Sequence, residues 1–275
     1  MTWQAYEVIF RLRTPLHVGW RKVSNLQMTQ HYLTGRNIWG ALTMRLTRDA
    51  APGPATNPGA YRQIGDQVHQ QLALTYFYAA LQEGNRYDVV LPWENESAFR
   101  RRFLSSYASA ALTYPQHSAD EGLLHEVEFI TPATRDDGKP VFLKGYIFER
   151  QECDLAWRQA LVRLQIGGER GYGWGDLALI GITPVDDGRL FDRVTFDGSG
   201  ARPVIHVQPP ARLLAHTFAD GVDASGAVEP LVGREWQSYA GQRVAYTGVA
   251  FAPGAVVERA QRFIVEQFGI WVCQE

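Results

Sequence analysis

Residues 164–180, LQIGGERGYGWGDLALI, decide how this chain is read. The stretch opens as the tail of an apolar helical pattern. It then passes through Gly167, Gly168, Gly171, Gly173 and Gly175 and ends in a strand-like run. Glycine reaches positive φ cheaply and has no Cβ to hold a neighbour away. A row of such residues can turn its amides inward as an anion-binding concavity. Arg170 adds a fork for phosphate, and Tyr172 and Trp174 add ring faces for stacking. No Gly-Lys-Ser/Thr follows, so this is not a phosphate-binding P-loop. The order helix, glycines, strand is also the reverse of what a dinucleotide fingerprint requires. Two readings stay open: a cradle for single-stranded nucleic acid, or a turn whose glycines only allow close packing.

Working outward, residues 5–16 (AYEVIFRLRTPL) alternate, with Tyr6, Val8, Phe10 and Leu12 on one face and Ile9 out of phase. A long loop (17–35) follows. Residues 36–49 (RNIWGALTMRLTRD) carry helical spacing, with Thr34 or Asn37 as the cap and Gly40 read as a close-packing position. After a Pro/Gly linker, residues 62–84 (RQIGDQVHQQLALTYFYAALQEG) read as one amphipathic helix ended by Gly84. Residues 86–93 read as a short strand and 95–114 as a short helix. Residues 123–132 (LLHEVEFITP) alternate again, RDDGKP is a turn, and VFLKGYIFER is the returning strand. Residues 153–166 form the second principal helix. Without the middle helices the order is strand, helix, strand, strand, helix, strand. The expected fold class is therefore α+β, a ferredoxin-like βαββαβ domain over 1–183 with an insert at about 51–123 and the glycine loop at 167–175. Its open sheet face is expected to be left for a ligand. Residues 184–275 read as a smaller β-rich domain, with GAVVERAQRFIVEQ as strand then helix and a worn second ferredoxin-like copy left open.

Of 275 residues, 45% are hydrophobic and 20% charged, and the net charge of −2 excludes a globally basic nucleic-acid binder. Any basic site must be local. Lys22, Lys139 and Lys144 are the only lysines, so that site is made of arginine. Cys153 and Cys273 stand far apart without CxxC spacing, which predicts neither a zinc site nor a disulfide framework. The opening MTWQAYEVIF is no signal peptide and no apolar run reaches membrane length, so a soluble cytoplasmic protein without cofactor is expected.

Three segments in order, RTPLHVGWRKV, YLTGRNIWGALTMRL and IGGERGYGWG, resemble the RAMP superfamily of repeat-associated RNA-binding proteins in CRISPR–Cas systems. AFAPGAVVE, at 250–258, is similar to a Pro-Gly motif in the second domain of type III subunits that grip the five-prime handle of the guide RNA. The resemblance implies a non-catalytic subunit of a type III effector, bound to guide RNA and to other effector subunits (the large signature subunit and the first backbone subunit), and to target RNA only indirectly. Within the same superfamily the alternatives are a metal-independent repeat-cleaving endoribonuclease, using His17 or His31, and a backbone subunit.

The expected RNA-binding residues are His17, Trp20, Arg21, Lys22, Arg36, Asn37, Gly167, Gly168, Arg170, Gly171, Tyr172, Gly173 and Trp174. Trp20 with Arg21 and Lys22 offers stacking beside charge. The start of the first helix, with Arg36, offers a phosphate seat. Trp39 reads as core, and Arg100, Arg101 and Arg102 as a solvated patch. Asp49, Asp136 and Asp137 read as turn or helix-end residues, and His117 and His125 as too isolated for a metal site. No catalytic or metal residue is assigned.

Overall fold

The computed structural model describes residues 2–110, 112, 114, 124–235 and 241–274. His117 lies outside the described residues. The first part runs β1 (Trp3–Leu12), β2 (Gly19–Val23), β3 (Leu26–Thr29), β4 (Tyr32–Leu33), α1 (Gly35–Ala50), α2 (Pro58–Gln71), β5 (Leu72–Leu74), β6 (Phe77–Glu83) and β7 (Arg86–Val89). Then come α3 (Glu96–Phe103), β8 (Leu104–Ser109), β9 (His125–Ile130), β10 (Phe142–Arg150), α4 (Trp157–Leu161) and β11 (Leu177–Pro184).

β1 alternates as expected, and the alternation reaches both faces. Val8, Phe10 and Leu12 enter a core shared with Ile38, Leu42 and Leu46 of α1 and with Trp157 and Leu161 of α4. Trp3 and Ala5 point the other way, into a second core. Ile9 is on that same odd-numbered face, in a small cluster with Ala80 and Phe142, which explains its break in phase. The main sheet has the order β11-β1-β10-β6-β4, with β5 also on β10 and β7 on β6. β1 is antiparallel to both β10 and β11. Fourth, first, third, second is the ferredoxin-like order, and the fold is α+β.

The strand in second place is not the expected one. Residues 72–83, read as the second half of a helix, are β5 and β6 and lie beside β10. α2 stops at Gln71. The run LALTYFYAAL is apolar on both sides because both sides are covered, and such a run fits helix or buried strand equally well by period. Leu72, Leu74, Phe77 and Ala79 enter the helical core; Ala73, Tyr76 and Tyr78 enter the other. Residues 51–123 are therefore no detachable insert, since they supply a central strand. β9, expected in that place, instead joins a separate four-stranded sheet, β2-β3-β9-β8.

After β11 the regular elements among the described residues are strands and one 3-10 turn: β12 (Arg189–Leu190), β13 (Val194–Asp197), β14 (Val204–Val207), β15 (Ala211–Arg212), β16 (Thr217–Phe218), β17 (Ala224–Ser225), β18 (Val228–Glu235), β19 (Arg243–Phe251), β20 (Val256–Val257), β21 (Gln261–Val265) and β22 (Trp271–Gln274). The expected helix near residues 259–266 is β21. Eight of these strands form one sheet, β12-β13-β14-β21-β22-β16-β19-β18. Its Leu190, Val194, Ile205, Val207, Phe263 and Trp271 share a core with Trp3, Tyr76, Tyr78, Tyr146 and Phe148. The face of the first sheet expected to stay open is thus covered. The tyrosines there bury their rings and keep a polar tip bonded: the Tyr78 hydroxyl donates to the Leu214 carbonyl at 2.6 Å, and that of Tyr76 meets His216 Nδ1 at 2.6 Å. A ligand must bind elsewhere. No helix among the described residues is long and apolar enough to cross a membrane.

Candidate nucleic-acid interface

The glycine loop is held by its own backbone. The amides of Gly168 and Gly175 donate to the carbonyls of His17 and Pro15, both at 2.8 Å. Those of Tyr172 and Gly173 close a single 3-10 turn onto Glu169 and Arg170. The expected concave row of inward-turned amides is therefore corrected: most are satisfied by carbonyls. Glycine is required for approach instead. A Cβ on Gly175, whose φ is +76°, would lie 1.8 Å from the Ile166 carbonyl oxygen, and one on Gly167 would lie 2.3 Å from that of His17. Gly171 and Gly173 are different, since a Cβ there meets nothing within 4 Å. They carry the loop's exposed tip, where Tyr172 is 82% exposed. Trp174 is half-buried, its ring edge-on to Phe129 at 4.9 Å, so it braces the loop on β9.

Below this tip runs a groove of about 870 Å³. One bank is the outer face of α1, with Arg36, Asn37, Gly40, Met44 and Arg48; the loop adds Gly167, Gly168 and Arg170. The opposite bank is α2, with Tyr61, Arg62, Asp66 and His69, and the end wall is Arg234, Glu235 and Phe268. The guanidinium groups of Arg36, Arg48, Arg62 and Arg170 face two carboxylates, while that of Arg234 bonds the Gly241 carbonyl at 3.2 Å, so the groove is locally cationic on an overall acidic chain. Arg170 reaches across to Met44 Sδ at 3.3 Å. Gly40 does not serve close packing of the fold: an added Cβ meets nothing within 4 Å. Its missing side chain keeps the groove floor low.

The head of α1 is already occupied. Asn37 and Thr34 form a reciprocal capping box, with the Thr34 amide donating to Asn37 Oδ1 at 3.0 Å. Arg36 lies 3.8 Å over the Phe268 ring and donates to the Arg234 carbonyl at 3.3 Å. Burial lowers its pKa, and Glu235 acts in the opposite direction. Arg36 is thus a preorganised wall rather than a free clamp, and Asn37 is a capping residue. Trp39, expected in the core, stacks on His69 at 4.9 Å and meets Phe268 edge-on. Burial, with Arg202 and Arg36 near, brings His69 down to about 4.

His17 is buried, its Nδ1 2.7 Å from the Glu128 carbonyl, and so donates there. His31 Nε2 accepts from Arg100 at 3.2 Å, and burial beside that guanidinium lowers its pKa. His31 thus braces the Arg100–Glu128 ion pair, 2.5 Å long, with the Thr29 amide on the other carboxylate oxygen, while His17 holds only the Glu128 backbone. The arginine run is a solvated patch only in part: Arg101 is exposed and bonds Ser97, whereas Arg100 holds Glu128 and Arg102 pairs with Asp136 and Asp137. Asp49 is held by Arg45 and Arg163. Trp20, Arg21 and Lys22 lie on the fully exposed β2, with Arg21 stacked 4.1 Å over Trp20. They form a separate surface, outside the groove lining. In the AFAPGAVVE segment, Gly254 (φ +97°) takes the Trp93 ring against its Cα, so the Pro-Gly turn docks one part of the chain on another.

Reasoning from sequence missed Arg48, Tyr61, Arg62, His69 and Arg234. Arg48 was legible only as a residue of α1, since twelve residues set it about 120° round the helix from Arg36. Arg62 and Arg234 were not, because only the tertiary fold brings α2 and β18 to α1.

No family model and no curated protein matches this sequence. Among solved structures, a chain of the type III-B Cmr-beta, seen by cryo-EM bound to cognate target RNA and AMPPnP, is similar over 91% of this chain and 85% of its own, with a TM-score of 0.51 and 12% identity. A chain of the type III-B Cmr-beta bound to cognate target RNA is similar over 64% of this chain and 96% of its own, with a TM-score of 0.42 and 8% identity. What the first likeness establishes is a fold shared along nearly the whole chain.

Proposed function

We propose that this chain is a non-catalytic RNA-binding subunit of a type III CRISPR effector, holding the five-prime handle of the guide RNA in the groove beside α1. The observation that carries the reading is the convergence there of Arg36, Arg48, Arg62 and Arg170, from three separate parts of the chain. A cationic groove with an exposed aromatic at its rim suits a single strand, which offers phosphates along its length and bases to stack. The motif resemblance and the shared fold support the placement among effector subunits. The endoribonuclease alternative has no such support. Of the two candidate imidazoles, His17 is buried with its Nδ1 on the Glu128 carbonyl, and His31 is buried with its Nε2 accepting from Arg100.

The test is retention of guide RNA by the protein with both Arg170 and Tyr172 replaced by alanine. Loss of one stacked ring, worth about 1–3 kcal/mol, and of one phosphate contact predicts affinity about 10- to 100-fold weaker. Undiminished binding would overturn the reading, and cleavage of a labelled repeat RNA in EDTA would replace it with the nuclease.

A further inference from the structure

The two-stranded arm β18–β19 alternates inside out. Cross-strand pairs Pro230–Val249, Val232–Tyr246 and Arg234–Val244 share one face, with Val228 and Phe251 at its base. That face looks outward: Val228, Val232, Val244, Tyr246 and Val249 are each between 46% and 63% exposed. Apart from Arg234 at the tip, the charged groups are on the inner face. Glu229 lies 2.5 Å from His216 Nε2, and the Arg234 carbonyl accepts from Arg36. A Cβ on Gly233 would stand 2.8 Å from the Arg36 guanidinium and would displace it. The arm cannot roll over to bury its apolar side without giving up these bonds. Contiguous exposed apolar surface on a rigid element marks an interaction site.

We infer that this outer face is the docking surface for another protein subunit of the assembly, one presenting an apolar patch bordered by carboxylates. The inference rests on the function proposed above. Three observations choose the occupant. The face carries one guanidinium, Arg234, and no carboxylate, so a complementary partner is apolar and acidic at its edge. Valine side chains offer nothing to a phosphate, which argues against RNA. A strand of seven residues is about 23 Å long and two strands about 10 Å wide. That gives about 230 Å², well under the roughly 800 Å² per partner of a stable interface. Two copies joined by this face alone would fall short, whereas it suffices as one part of a larger heteromeric contact. β18 also ends the sheet, leaving a free backbone edge beside the patch. Its Arg234 and Glu235 line the groove, so the partner would sit at the rim of the RNA site.

The experiment is co-expression from the native gene cluster of the chain with Val232→Glu and Tyr246→Glu together, followed by native mass spectrometry of the purified complex. Both positions are exposed, so the fold is expected to hold, with Val232→Ser/Tyr246→Ser as a milder companion. The expected result is complexes missing one protein subunit, while the isolated variant binds guide RNA within twofold of the parent. Three results would overturn the inference: intact assembly, a concentration-dependent dimer of the parent chain abolished in the variant, or RNA affinity of the isolated variant reduced tenfold or more. If Arg170→Ala/Tyr172→Ala leaves RNA binding untouched while the arm variant still loses its subunit, it is the RNA-binding reading that fails.

Discussion

At the scale of single residues, the glycines divide into those that the fold needs and those that stand in open space at the loop tip and in the groove. Gly175 combines positive φ with a carbonyl in the way, so Gly175→Ala is expected to cost at least about 2 kcal/mol, read as a lowered midpoint in urea. Gly171→Ala, with open space and ordinary backbone, should stay within about 0.5 kcal/mol. Gly40→Ala separates stability from binding. It should stabilise α1 by about 0.5–1 kcal/mol, because the helix gains propensity and nothing is struck. It should also weaken guide RNA binding, because the methyl rises from the groove floor; a variant that is more stable and binds equally well would contradict the groove assignment. His69 supplies a pH prediction. Its folded-state pKa, about 4, is below the unfolded value near 6.5, so the unfolded chain takes up more protons between these limits. Stability should therefore fall as pH drops from about 6.5 to 4, by up to about 3 kcal/mol from this group. Comparing urea midpoints of the parent and His69→Asn across that range checks it: the variant should show the shallower decline.

Among elements, the contact between α1 and the turn before β22 fixes the end wall of the groove. Phe268 holds an αL backbone (φ 63°, ψ 15°) and inserts beside Trp39, His69 and Arg36. Gly35, in the first turn of α1, passes so close that a Cβ would lie 2.2 Å from the Phe268 carbonyl oxygen. Alanine in a helix normally gains on glycine; here Gly35→Ala should lose about 1–3 kcal/mol by overpacking, measurable as a drop in Tm. Elements also mark where local pattern misleads. β1 and α1 were readable because one period dominates each, and β10 because the turn RDDGKP marks it as a returning strand. Residues 72–83 were not: a run buried on both faces has no polar positions to show its period. β21 failed for a related reason, as five residues of mixed pattern do not separate a short strand from a helical turn.

For the whole molecule, an acidic chain with a cationic groove should bind RNA with a salt dependence set by the groove alone. If Arg36, Arg48, Arg62 and Arg170 meet phosphates, the slope of log K against log salt should be about −2.8 for a single strand. Each groove arginine replaced by alanine should reduce its magnitude by about one or slightly less; an unchanged slope in Arg48→Ala or Arg62→Ala would remove that residue from the contact. Sequence alone determined the ferredoxin-like core, the helix that builds one bank, the place of the glycine loop and the arginine character of any anion site. All of these follow from short-range order: period, capping, turn chemistry and composition. Only the tertiary structure decided which face stays open, that the loop's amides are already bonded, that α2 and β18 complete the groove, and that β18–β19 turns its apolar side outward. Those outcomes depend on which distant surfaces meet, and burial is a property of the meeting rather than of either segment.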